Sequence, residues 1–449
     1  MSAPVALVRG VGLRAATAIN VIAIVGIGPL ITIPLVLGAL HGPLSLAGWL
    51  LGAVLAICDG LVWAELGSAY PRSGGTYGYL LEIFGRSGAG RFLAFLFVWQ
   101  TIFTQPLTIA SGYIGFANYA TYLYPPLANS PLALKGVAIA VGMATLFALY
   151  RGIGVISRTG EWLGICAVVT LGCVTVAAFT HFSPHAAFTL APGDSLWGGL
   201  RAGLGQALII ALYDYAGYGQ ANTIADEVRE PAKTLPRAIV LSLAIVATLY
   251  IAMQASILGA LPWQRYVPLA DGSIPPLGQH LGSAIVAQAF GTPAAVAVTV
   301  LILITAFASV YAVLLGASRI PYAAATDGNF LQPFAHVNRT HRFPDVSLVV
   351  MGAVALVACL FTLDQVINAL TAAGVLVQSI AQIGALFVFR ARGGRAPYRM
   401  WLFPIPALLA LAGWIYLFVS SGSDAIRYGV ASLAAGAAVY ALTLRRAAR

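Results

Sequence analysis

The chain has 449 residues, 60% of them apolar and only 8% charged, with a mean hydropathy of +0.88. Soluble domains carry about 25% charged residues, so a water-soluble globular fold is excluded. The net charge of +10 comes from basic residues in short segments between apolar runs. No basic stripe with interleaved aromatics occurs, and a nucleic-acid partner is not expected.

Repeated apolar runs of about 20 residues fit membrane-spanning helices. Twelve are expected, at about 15–40, 44–68, 92–123, 132–150, 160–180, 196–224, 237–260, 284–317, 346–363, 365–389, 401–420 and 426–443. Arg9 and Arg14 precede the first run, which is too long for a cleaved signal and is read as helix 1. That helix is interrupted by Gly26-Ile27-Gly28-Pro29. Glycines allow another backbone or a ligand to approach, and a broken helix exposes N–H groups at a positive half-helix end. Pro29 enforces the break and removes one such N–H. A proline-kinked packing site is the alternative.

Helix 2 carries Asp59 and Glu65, six residues apart and so on different faces. Asp59 is deep and Glu65 near one end, where reaching water is an alternative to proton coupling. Helix 3 offers Gln100, Thr101, Thr104 and Gln105 to a polar pocket. The most informative residue is Asp214 in helix 6, within Ala211-Leu-Tyr-Asp-Tyr-Ala-Gly-Tyr-Gly219. An ionisable group at bilayer depth is costly and by default marks a pathway or a binding site. The two glycines after it interrupt the helix. Asp214 could hold an ammonium or take up a proton, and Tyr213, Tyr215 and Tyr218 could add hydroxyls or cation–π faces. Pairing with a neighbouring polar group is the bland alternative.

Helix 8 presents Thr305, Ser309 and Tyr311, and helix 10 presents Gln378 and Gln382 on one face with Asn368 and Thr371 further out. Each could line a pocket or simply bond between helices. Residues 181–195 and 261–283 form long loops, the second holding Pro262, Pro268, Pro275 and Pro276. Cys58, Cys166, Cys173 and Cys359 lie in apolar segments and read as packing thiols. All six histidines fall outside the spans, so an intramembrane histidine relay or metal cluster is not expected, and no cofactor is expected either.

Orientation follows from charge. With the N-terminus inside, the inner segments hold 20 of the 24 basic residues, leaving Lys135, Arg201, Arg265 and Arg427 for the other side. Such a bias places both termini in the cytoplasm of a multi-pass cell-membrane protein. The breaks fall in spans 1 and 6, which cross in opposite directions. Paired breaks in corresponding segments point to a transporter's substrate site. The chain then divides into a cytoplasmic N-terminus (1–14), a first five-helix repeat (15–180), a second, inverted repeat (196–390), helices 11 and 12 (401–443) and a cytoplasmic tail (444–449).

Four segments carry a family resemblance. LVWAELGSAYPRSGGTYGYL (Leu61–Leu80) resembles the helix 2–3 signature of the amino acid–polyamine–organocation permeases. ADEVREPAKTLPRAI (Ala225–Ile239) is similar to their segment after helix 6, and GASRIPYAAATDGNF (Gly316–Phe330) to that after helix 8. APYRMWLFPIP (Ala396–Pro406) is similar to the start of helix 11. The resemblance implies an all-α, LeuT-like five-plus-five inverted repeat with two added helices, working by alternating access. It also implies that backbone groups at Gly26, Ile27 and Gly28 hold a substrate carboxylate, while Tyr213 through Gly217 hold its amine, with Tyr213 as an aromatic gate. The chain departs from that pattern in three places. Pro29 removes an N–H, Asp214 stands where a small or neutral residue is common, and Ala167 replaces the lysine of some proton-coupled relatives. VGIGPL in helix 1 resembles plant-type polyamine uptake permeases.

The expected function is secondary-active transport of an amino acid or a polyamine or other organic amine, leaning to cationic amines, by proton symport or exchange. Substrate-binding candidates are Gly26, Ile27, Gly28, Gln105, Tyr213, Asp214, Tyr215, Gly217, Ser309 and Gln378. Proton-coupling candidates are Asp214, Asp59 and Glu65. A neutral amino acid transporter or exchanger of the same family and a non-transporting nutrient sensor are the alternatives. No hydrolase or metalloprotease motif occurs, so catalytic residues are not expected.

Overall fold

A computed structural model describes residues 9–151, 156–190, 195–269, 273–338, 343–361 and 376–443. Among them there is no β-strand, only an isolated parallel bridge between Val11 and Val228. The first half contains α1 (Leu13–Ile24), α2 (Gly28–Leu40), α3 (Ser45–Ala69), α4 (Thr76–Phe84), α5 (Ala89–Ala120), α6 (Pro131–Arg151) and α7 (Ile156–Phe179). A broken pair follows, α8 (Leu196–Tyr215) and α9 (Gln220–Thr223), then the long α10 (Pro231–Ala260). Next come α11 (Leu281–Phe290), α12 (Thr292–Ala317), α13 (Arg319–Thr326) and α14 (Asp345–Ala358). A π-helical turn, Leu376–Ala381, leads into α15 (Gln382–Ala391), and α16 (Ile405–Ser420) and α17 (Ser423–Thr443) follow.

Among the described residues seven helices are long and apolar enough to cross a bilayer, and α1 with α2, bent by 46° at their break, make an eighth. Leu281–Phe290, Asp345–Ala358, Ile405–Ser420 and Ile426–Leu442 are shorter apolar helices. Large apolar side chains cover the outward faces, with Trp162 65% exposed and Met143 and Val357 each 59%. So much exposed apolar surface suits hydrocarbon rather than water.

Several expected spans change their limits, among them 237–260, which starts at Pro231, and 346–363, whose helix ends at Ala358. The run 284–317 is divided, because α11 ends at Phe290 and α12 starts at Thr292. Between them Gly291 takes a φ of +83°, open to glycine, and Pro293 in the first turn of α12 has no N–H to continue the previous helix. Residues 401–404 are turn, and α16 begins only at Ile405, with a proline in its first turn. The outer part of the expected span 365–389, with Asn368 and Thr371, lies outside the described residues, as does the tail 444–449.

The resemblance-bearing segments meet at one end of the bundle. Arg72 bridges Glu82 at 2.9 Å and Asp327 at 2.6 Å, and Tyr77 donates to Asp327 at 3.0 Å. Ser73 and Asp226 exchange two bonds of 3.2 Å, and buried Arg319 pairs with Glu227 at 3.2 Å. Glu65 belongs to this end too. It is buried rather than reaching water, and accepts from Arg390 Nε at 2.8 Å, Arg390 Nη2 at 2.6 Å and the Met400 N–H at 2.7 Å. Sequence distance hid this last pairing, since Glu65 and Arg390 are 325 residues apart.

The two breaks lie against one another. α1 ends at Ile24, and Pro29 occupies the first turn of α2, where its missing N–H leaves no ladder bond unmade. In the second break Ala216 is extended and Gly217 has a φ of +120°. A Cβ on Gly217 would stand 2.7 Å from the Ala23 carbonyl carbon, so glycine is required both by conformation and by the crossing of the chains.

Candidate functional site: a cavity between two broken helices

A cavity of about 270 Å³ opens at this crossing. Gly26, Ile27 and Gly28 line it from the first break, and Tyr213, Asp214 and Gly217 from the second. Gln105 of α5, Ser309 of α12, Gln378 of the π-helical turn and Asp59 of α3 complete the candidates that face it. Among the described residues no lysine, arginine or histidine lines it.

Asp214 is 2% exposed. Thr32 on α2 donates to one carboxylate oxygen, and the other, Oδ1, has no hydrogen-bond partner among the described residues. That oxygen lies against Gly28, where a Cβ would overlap it. Beside it the Tyr213 hydroxyl bonds Ser111 Oγ at 2.7 Å. Gly26 approaches α12 so closely that a Cβ would stand 2.9 Å from Ser309 Oγ.

Asp59 has both oxygens occupied. Tyr218 donates to one at 2.6 Å and Trp414 Nε1 to the other at 3.1 Å, and both donors line the cavity. Two of the candidates stand elsewhere. Tyr215 faces away, with its hydroxyl on the Trp49 carbonyl at 3.3 Å and its ring packed on Trp49 and Tyr250. Glu65 sits in the ion pair described above and is not among the lining residues. Of the other polar side chains, Gln382 bonds Thr76, Thr305 bonds Thr170 at 3.1 Å, and Gln100 is buried with neither amide atom bonded among the described residues.

The broken ends have specific partners that the sequence did not announce. The Tyr250 hydroxyl on α10 reaches the Ile24 carbonyl at 3.0 Å and the Asp214 carbonyl at 3.3 Å, so one side chain touches the C-terminal ends of α1 and α8 together. Asn20 Oδ1 accepts from the Ala221 N–H at 2.8 Å, which caps the short α9 from α1. The breaks themselves had a signal in glycine and proline. Tyr250 and Asn20 had none, because only the crossing of distant helices brings them there.

A family model described as amino acid permease matches residues 11–439. The chain belongs to the amino acid permease family. An uncharacterized transporter of Mycobacterium tuberculosis is 30% identical to this permease over 405 residues, covering 88% of this chain and 82% of the relative. The serine/threonine exchanger SteT of Bacillus subtilis is 25% identical, with 84% and 83% covered. The branched-chain amino acid permease BcaP of the same organism is 24% identical, with 90% and 86% covered. This permease is therefore a multi-pass membrane transporter and not an enzyme.

Proposed function

We propose that this permease is a secondary-active transporter of small amines and amino acids with a preference for cationic amines. The observation that carries the preference is that, among the described residues, one Asp214 oxygen has no partner and no cationic side chain lines the cavity. Two further features support it. α1 and α8 both end at the cavity, and helix C-termini are negative. The positive end of α2, by contrast, already faces a carboxylate. Neutral amino acids are the second reading, favoured by the relatives named as a serine/threonine exchanger and a branched-chain amino acid permease.

In this reading the chain forms twelve spans, as two inverted five-helix repeats over 15–180 and 196–390 followed by two helices over 401–443. Both termini are cytoplasmic in the cell membrane, and the cavity opens to each side in turn. The distribution of arginines and the two glycine-marked breaks support this arrangement. Coupling is to protons or to a counter-substrate. Asp214 and Asp59 are the groups proposed to take up the proton, since both face the cavity, whereas Glu65 is engaged by Arg390. Uptake by the purified protein in liposomes tests the proposal, across matched amines and amino acids with and without a pH gradient. Accumulation of an amine in preference to the corresponding amino acid is expected; transport of neutral amino acids alone would refute the cationic preference.

A further inference from the structure

We infer that Asp214 is a built-in anion lying beside the N-terminal turn of α2, and that it thereby selects amines over amino acids. The inference rests on the cavity being the substrate site. The 13-residue α2 begins at Gly28, inside the cavity wall. The first turn of a helix presents N–H groups without helical partners and attracts any anion that can reach it. Here the anion belongs to the protein. Asp214 Oδ1 stands beside the Gly28 Cα, and the carboxylate carbon is 3.5 Å from the position a Gly28 Cβ would take. One turn further along α2, Thr32 holds the second oxygen. The carboxylate is thus held against the flank of the first turn of α2, over Gly28 and Thr32, by a side chain of that same helix, and glycine at 28 is what admits it.

The arrangement has a consequence for selection. The carboxylate of an amino acid approaching α2 would meet Asp214 in the place that otherwise favours it, and like charges exclude one another. An ammonium meets the free Oδ1 instead, together with the negative ends of α1 and α8. Removing Asp214 therefore does more than weaken amine binding. It takes a fixed negative charge away from the first turn of α2 and turns an amine site into one for amino acids.

The full-length protein in nanodiscs provides the test, with binding measured for isoamylamine against leucine, cadaverine against lysine, and tyramine against tyrosine. Each pair differs only by the α-carboxylate. Wild type is expected to favour the amine, and Asp214→Gly to shift the ratio toward the amino acid by about tenfold or more. Asp214→Asn, which keeps the shape and loses the charge, should move the ratio in the same direction. Formate should restore amine binding to Asp214→Gly in a saturable manner. Gly28→Ala should weaken amine binding in wild type and have no further effect in the Asp214→Gly background. An Asp214→Gly or Asp214→Asn protein that loses the amine, gains no amino acid and ignores formate would overturn the inference while leaving the amine reading intact. Wild type that binds no amine of the panel would overturn that reading and the inference with it.

Discussion

Replacing Glu65 with glutamine removes the charge from a carboxylate that is 1% exposed and accepts three hydrogen bonds. Two come from Arg390, whose side chain is 16% exposed and whose guanidinium lies 4.0 Å over the Phe403 ring. Removing one partner of a buried pair costs about 3–5 kcal/mol, because the remaining charge stays buried without compensation. Glutamine keeps one acceptor but turns an amide N–H₂ toward the guanidinium donors. Arg390 retains some access to solvent and its aromatic contact, so a loss near the lower end, about 3 kcal/mol, is expected. Heating the detergent-solubilised protein and measuring the fraction that remains monodisperse reads this loss directly. The paired replacement Glu65→Leu with Arg390→Met should cost less than the two single changes together, since it leaves no buried charge behind. Transport per folded molecule, and its response to a pH gradient, should survive Glu65→Gln. A Glu65→Gln protein as stable as wild type that no longer responds to the gradient would refute the reasoning and return Glu65 to the coupling machinery.

Gly217→Ala should abolish transport, because its φ of +120° and the 2.7 Å approach to Ala23 each penalise a side chain, the backbone strain alone by about 1–3 kcal/mol. Gly136→Ala in α6 is the control: nothing lies within 4 Å, and alanine in a helix is favoured by about 1 kcal/mol, so stability should hold or rise in the same melting assay. Tyr250→Phe removes the hydroxyl from both broken helix ends and should cost about 1 kcal/mol, read as a several-fold weaker substrate affinity with little change in melting. An unchanged affinity would show that the ends are held without it. Asn20→Ala removes the cap on α9 and should lower thermal stability by about 1 kcal/mol. A melting profile matching wild type would remove that assignment.

Some of the site was legible in the residues alone. Gly26, Gly28 and Pro29 announce an interrupted helix, and Gly217 with Gly219 announces a second, because glycine and proline act on the backbone locally. Asp214 stood out because a carboxylate is rare in so apolar a stretch. Other features could not be read this way. Helical spacing says which residues share a face but not what that face meets, so Tyr215 was grouped with Tyr213 although it packs on Trp49 and Tyr250. Glu65 reads as a proton-coupling candidate, or as a group reaching water, because its partner Arg390 comes 325 residues later. The division of α11 from α12 was visible in Gly291 and Pro293, yet the apolar run across them masked it.

By itself the sequence determined the class of protein, the positions of both helix breaks and the presence of a buried carboxylate. Those properties depend on composition and on residues close together in the chain. Tertiary structure alone decided that the two breaks cross at Gly217 and Ala23, that Tyr250 reaches both broken ends, and that Asp214 lies beside the first turn of α2 with one oxygen held by Thr32. The physical reason is range. Backbone preference acts over a few residues, whereas the partner of a buried charge is whatever helix the packing brings beside it.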